Sequence, residues 1–147
     1  MAGHATAAAT LRTDRERLAG RVLESFVAED PTARERYDEL AMRRLLRDIG
    51  TMLDQLSVAL ATADSTAILS WCEALVPVYR RRGVPMDDLA RLTSLLSRAT
   101  ASVLPVEAAT AAAAVLDAAG RAFKANRRLG GDAKKRNAVV AFIYKGA

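Results

Sequence analysis

The stretch PMDDLARLTSLLSRATASVL, residues 85–104, carries the most regular apolar repeat in the chain. A spacing that alternates between three and four residues places its apolar side chains on one face of an α-helix. Pro85 suits the first position of such a helix, and the two aspartates that follow favour the positive end of the helix dipole. The stretch therefore predicts an amphipathic helix whose buried face consists of Leu89, Leu92, Leu96, Ala99 and Val103.

Similar patterns predict helices on both sides of this stretch. We expect a first helix over residues 11–28 and a second from the Asp30-Pro31 start signal to about Thr62. A third helix runs from a cap at Asp64 to Arg82, contains Pro77, and ends at Gly83 in the left-handed conformation. Together with residues 85–104, these segments form the first four helices of the prediction.

Two more helices complete the prediction. A fifth begins after Pro105 and stops at the LGG of residues 129–131, and a last one starts at Asp132. Its AVVAFIY segment has strand propensity, but the chain offers no second strand for it to pair with, so we predict helix. The sequence thus predicts an all-α bundle of about six helices, with residues 1–10 as a flexible tail and residues 11–147 as a single domain.

The composition excludes several classes of function. The N-terminus lacks the features of a secretory signal and no window resembles a membrane span, so we expect a cytoplasmic protein without a membrane partner. The single cysteine excludes an internal disulfide. The only histidine is His4, which disfavours hydrolase chemistry, a metal site and histidine-ligated haem. We find no glycine-rich phosphate loop, and we predict that the protein is not an enzyme.

One apolar segment is a candidate ligand pocket. Trp71 and Cys72 are unique in the chain and share the third helix with other apolar residues. Plain core packing is the favoured interpretation, with an inert cysteine, and a cavity wall is the alternative. No cofactor is expected, although a bound apolar ligand or a pigment held through Cys72, Met52 or Tyr79 stays open. The candidate pocket residues are Met52, Leu56, Trp71, Cys72, Leu75 and Tyr79.

Positive charge is concentrated at the C-terminal end. The chain has a net charge of +5, yet the eight basic residues and one acidic residue after position 120 carry +7. Such a segment attracts phosphates, but interleaved aromatics and a recognisable nucleic-acid-binding motif are lacking, which favours a solvated surface. The candidate basic patch consists of Arg127, Arg128, Lys134, Lys135 and Arg136.

Parts of the sequence resemble a known family. RYDELAMRRLLRDIGTMLDQLSVAL (residues 36–60) and ILSWCEALVPVYRRRGVPMDDLARLTSLL (residues 68–96) share a D-I-x-x-x-L helix, a tryptophan in the next helix and an R-x-V-P join. They resemble bacterial helical sensor domains that precede cobalamin-binding or signalling modules and, more distantly, the non-haem globin-like N-terminal domain of RsbR stressosome proteins. The resemblance implies a globin-like fold, dimerisation through the late helices and signalling without catalysis. Met52 stands where some relatives carry a histidine.

Two functions are therefore predicted from the sequence. The first is a non-catalytic sensory or regulatory domain, dimeric, that signals to a protein partner when a ligand or that partner shifts its helix packing. The alternative is a protein that binds nucleic acid or an acidic partner through the basic patch.

Overall fold

The computed structural model describes the backbone of residues 3–145 and the side chains of residues 3–126. Over this range the chain forms seven α-helices and no strand, which confirms the predicted all-α class. The helices are α1 (Ala5–Thr13), α2 (Arg15–Glu29), α3 (Ala33–Arg36), α4 (Glu39–Thr62), α5 (Thr66–Arg81), α6 (Met86–Ala101) and α7 (Val106–Lys145).

The helices enclose one apolar core. α6 lies along α7 and against α2, α4 contacts α1, α2 and α5, and α5 also packs on α7. Four residues of the face predicted for residues 85–104 are buried in α6, namely Leu89, Leu92, Leu96 and Ala99. The fifth, Val103, lies in the turn after α6 and is half-buried. Gly120 of α7 permits a close approach to α6, since a Cβ there would lie 2.9 Å from Thr93 Oγ1. The strongest repeat in the sequence therefore marks a helix that packs on both α2 and α7.

The N-terminal segment differs from the prediction of a tail over residues 1–10. Helix α1 begins at Ala5, Ala7 and Ala8 are buried, and the backbone N–H of His4 donates to the Leu60 carbonyl at 2.7 Å. Alanine is the strongest helix former, and its small side chain lets α1 pack closely on α4. The helix predicted over residues 11–28 is consequently divided at Asp14, between α1 and α2.

The predicted second helix is also divided. Residues 33–36 form the short α3, Tyr37 is extended, and α4 starts only at Glu39. The Asp38 side chain caps α4 by accepting a 2.8 Å hydrogen bond from the Ala41 N–H. The prediction placed the start signal at Asp30 and Pro31 and missed this second cap.

Helix α5 follows the prediction closely. It contains Pro77 without dividing, and both Pro77 and Glu73, whose carbonyl loses its helical hydrogen bond, are exposed residues. Gly83 has φ +73° and ends the helix as predicted. The Val84 N–H then donates to the Tyr79 carbonyl at 2.9 Å and turns the chain towards α6.

The C-terminal prediction of two helices is wrong, because α7 continues through residues 129–132 to Lys145. Each glycine in a helix costs about 1 kcal/mol relative to alanine, and the strong helix formers around them outweigh that cost. The choice of helix over strand for residues 138–144 is confirmed. In the described part of the chain, no helix combines the length and apolar character needed to cross a bilayer.

Candidate functional site

The predicted apolar pocket lies between α4 and α5 and is packed. Leu56 and Cys72 are fully buried, while Trp71 is half-buried against the core. Met52, Leu75 and Tyr79 share a void of about 10 Å³ with leucines of α6. A void of this size holds at most one water molecule. Four of these six residues belong to the buried core, and Trp71 and Leu75 pack against it. A ligand among them stays a prediction that requires the core to open.

The Cys72 side chain is an unreactive thiol. Burial, together with the charge of the neighbouring Glu73, raises the pKa of Cys72 to about 12. Only the thiolate is a good nucleophile, so the thiol is protonated at neutral pH. This agrees with the interpretation of Cys72 as an inert core residue.

We expect Cys72 to resist Ellman's reagent in the native protein and to react with one equivalent after unfolding in guanidinium chloride. The native reaction should be at least about 100-fold slower, because it requires both exposure and ionisation of the thiol. Absorbance at the thionitrobenzoate band measures both rates. Equal rates with and without denaturant would show that Cys72 is accessible.

An open cleft lies on the other side of Tyr79. It encloses about 450 Å³ between α3, the start of α4 and the turn that joins α5 to α6. This volume falls within the range of small-molecule sites in proteins. Its walls are formed by Glu35, Arg36, Tyr37, Asp38, Leu40, Ala41, Arg44, Leu45, Tyr79, Arg82 and Val84.

Tyr37 connects one wall of the cleft to α6. Its hydroxyl donates to the carboxylate of Asp88, which is 6% exposed. The Arg36 guanidinium donates to both oxygens of the same carboxylate at 3.2 Å. Burial, and then the hydrogen bond to Asp88, raise the pKa of Tyr37 well above its usual range. The phenol is therefore a fixed hydrogen-bond donor at neutral pH.

Arg36 also contacts Asp30 at the end of α2. It donates to Asp30 Oδ2 at 2.7 Å, and its Cζ lies 5.6 Å from the centre of the Tyr37 ring. Hydrogen bonds from Thr32 and then from Arg36 hold the pKa of Asp30 down at about 2. The Arg36 guanidinium thus contacts Asp30 before α3, the Tyr37 ring after α3, and Asp88 of α6.

Tyr79 lines the opposite wall of the cleft and pairs with an aspartate behind it. The Tyr79 hydroxyl donates to Asp48 of α4, and burial followed by this hydrogen bond raises the pKa of Tyr79 above its usual range. Arg82 Nη1 lies 3.9 Å from Asp48 Oδ2, and its Cζ lies 5.9 Å from the Tyr79 ring centre. Gly83 makes this possible, because its positive φ turns the chain directly after Arg82.

The sequence analysis missed both pairs. The bounds of the second predicted helix include Tyr37 without a role for it, and Asp88 was placed only as a favourable charge in the helix dipole. A usable signal was present, since Asp88 precedes Leu92 and Leu96 at intervals of four and lies in phase with the buried face. A carboxylate in that phase requires a buried partner. Nothing in the sequence identifies Tyr37, 51 residues away, as that partner.

A second open groove lies between α6 and α7 and encloses about 420 Å³. Small side chains form its floor, and the exposed ion pair of Asp117 and Arg121 lies on its rim. The residues that line it are Ala90, Thr93, Ser94, Ser97, Arg98, Ala101, Ala113, Leu116, Asp117, Gly120, Arg121 and Lys124.

The predicted basic patch falls in the second half of α7. The side chains of Arg127, Arg128, Lys134, Lys135 and Arg136 lie outside the described residues. Within residues 3–126, no three or more histidine, cysteine, aspartate or glutamate side chains come together as metal ligands.

The structure therefore defines an all-helical bundle with a polar cleft beside a filled core. No protein-family model matches the chain, and no curated protein shows significant similarity to it.

Proposed function

We propose that this chain is a non-catalytic sensory domain that converts occupancy of the cleft into a change of helix packing. The observation that supports this most is the linkage between the cleft and α6. Tyr37 lines the cleft and donates to Asp88. This aspartate lies in the first turn of α6, the helix that packs along α7. An occupant that displaces Tyr37 would break the Asp88 hydrogen bond and shift the equilibrium between two packings of α6.

The chemistry of the cleft fits a binding role better than catalysis. Both tyrosines in its walls donate their hydroxyl hydrogen bonds to aspartates. Their raised pKa values keep them protonated, so they do not act as bases at neutral pH. The resemblance to globin-like sensor domains, including that of RsbR proteins, agrees with such a cytoplasmic signalling role. In this proposal α7 passes the change to a partner protein.

Hydrogen exchange on a variant with a filled cleft tests the proposal without a known ligand. Ala41→Trp places an indole in the cleft, and Val58→Trp places one on an exposed position of the same helix. We expect Ala41→Trp to speed amide exchange about tenfold or more in α6 and in residues 106–126, with no change for Val58→Trp. Equal exchange of α6 and α7 in both variants would refute the linkage.

The same proposal includes a homodimer formed through the groove between α6 and α7. The floor of small residues allows a helix to approach closely, and the acidic and basic groups of the rim suit a two-fold partner. Light scattering should give about twice the 15.8 kDa chain mass. Ser94→Arg, inside the groove, should yield monomers, whereas Ser70→Arg on α5 should not. A monomeric native protein would refute the dimer.

The basic C-terminal segment supports a second candidate function, which is binding of nucleic acid or of an acidic partner. Its support is the +7 charge after position 120. Binding to duplex DNA should weaken steeply with salt, and the triple substitution Lys134→Glu, Lys135→Glu and Arg136→Glu should abolish it. A mobility shift that the substitutions leave unchanged would exclude this segment as the binding site.

A further inference from the structure

Arg44 differs from the other arginines that line the cleft. Arg36 binds two carboxylates, and Arg82 lies beside Asp48. Arg44 is half-buried in the same wall, and it forms no ion pair within the described part of the chain. Arginine is rarely buried without a counter-charge, and its planar fork suits the oxygens of a carboxylate, phosphate or sulfonate. Its guanidinium is thus available to an anion from outside the chain.

The two carboxylates in the cleft walls leave this charge uncompensated. The Asp38 carboxylate accepts a hydrogen bond from the Ala41 N–H. It lies at the N-terminus of α4, where the helix dipole offsets a negative charge. Glu35 is exposed on α3, so water screens it. Of the three arginines in the walls, Arg36 and Arg82 face carboxylates behind the lining, so Arg44 is the one without an ion pair in the described part of the chain.

An apolar surface lies one helical turn from Arg44. Leu40 lines the cleft and is 53% exposed, although leucine is among the residues most often buried. Residues four apart on a helix lie about 6 Å from each other on the same face, so Leu40 and Arg44 are neighbours. Ala41, Leu45 and Val84 extend this surface within the cleft. The cleft therefore places a cationic group beside the exposed Leu40 side chain and an apolar lining whose deeper members, Leu45 and Val84, are buried.

We propose that the cleft binds a small amphipathic anion, with its acidic group on Arg44 and its apolar body on Leu40 and Val84. The cleft volume of about 450 Å³ matches a molecule of the size of a small aromatic or aliphatic acid. This inference rests on the proposed sensory function, because it names the class of ligand that occupies the cleft.

Two dyes of matched shape test the proposal. The probe is 8-anilinonaphthalene-1-sulfonate, and N-phenyl-1-naphthylamine is its neutral counterpart without the sulfonate. Fluorescence titrations should show saturable binding of the sulfonate dye. We expect Arg44→Gln to weaken that binding about tenfold and to leave the neutral dye within about twofold, because only the sulfonate uses the guanidinium.

Control variants locate the binding site. Arg43→Gln removes the same charge from the neighbouring position, where the arginine forms an exposed pair with Glu39, and should leave both dyes unaffected. Leu40→Ala should weaken both dyes about threefold, and Ala41→Trp should prevent both from binding. Circular dichroism of each variant verifies that the helices remain. Equal effects of Arg44→Gln and Arg43→Gln, or undiminished binding to Ala41→Trp, would overturn the proposal.

Hydrogen exchange with the sulfonate dye bound separates this proposal from the sensory function. Arg44-dependent binding that leaves exchange in α6 and α7 unchanged would support the ligand class and refute the sensory function. Loss of the Arg44 dependence, with exchange in α6 and α7 still altered by Ala41→Trp, would refute the ligand class alone.

Discussion

Asp88→Ala is expected to lower the free energy of unfolding by about 3 kcal/mol. The carboxylate is 6% exposed and accepts hydrogen bonds from Tyr37 and Arg36. Its removal leaves the Tyr37 hydroxyl without its acceptor in a buried environment, and a buried polar group without a partner costs ~1–3 kcal/mol. Arg36 loses one of its two carboxylates, which adds to this cost, although its partial exposure and Asp30 limit the loss. Urea denaturation followed by circular dichroism measures the difference.

Two further variants separate burial from charge. Asp117→Ala removes a carboxylate whose pair with Arg121 is exposed, and it should cost less than about 0.5 kcal/mol. Tyr37→Phe is made in the wild-type protein and in Asp88→Ala. The difference between its two costs is the coupling energy between Tyr37 and Asp88, which should exceed about 1 kcal/mol. A coupling near zero, or equal costs for Asp88→Ala and Asp117→Ala, would contradict the role given to Asp88.

The regular helices could be predicted from the sequence because their signals are local. The three-and-four repeat of residues 85–104 and the positive φ of Gly83 depend only on neighbouring residues, and both predictions are confirmed. The choice of helix over strand near the C-terminus rested on the absence of a partner strand, and it is confirmed as well. Local patterns of this kind are sufficient for the all-α class.

The cleft could not be predicted because it depends on contacts between distant residues. Tyr37 reaches Asp88 across 51 positions and Tyr79 reaches Asp48 across 31. The break at Tyr37 and Asp38 creates the cleft, yet the apolar repeat continues in phase through it, so the two segments look like one helix. The apolar pocket stays a prediction for a different reason, since a row of apolar residues predicts burial equally well whether or not a cavity adjoins it.

Phe26→Ala is expected to have the largest effect, with a loss of about 4 kcal/mol in the free energy of unfolding. The ring is fully buried, and its centre lies 6.1 Å from that of Tyr37. Arg91 Cζ lies 4.5 Å from the centre of the same ring, and its guanidinium donates to the Phe26 carbonyl at 3.1 Å. The substitution leaves a cavity the size of a phenyl ring and removes a cation–π contact from a half-buried arginine.

Phe26→Leu separates these two contributions, because leucine fills much of the cavity but offers no π face to Arg91. We expect Phe26→Leu to cost about 1–1.5 kcal/mol. A double-mutant cycle of Phe26→Leu with Arg91→Met should show a coupling energy of about 0.5–1 kcal/mol between the ring and the guanidinium. Phe26→Ala should also reduce the effect of Asp88→Ala, since Tyr37 packs on both residues and loses its support on one side. Strictly additive losses in that double variant would mean that the ring and the carboxylate stabilise the bundle independently, and that Tyr37 does not couple the core to the cleft.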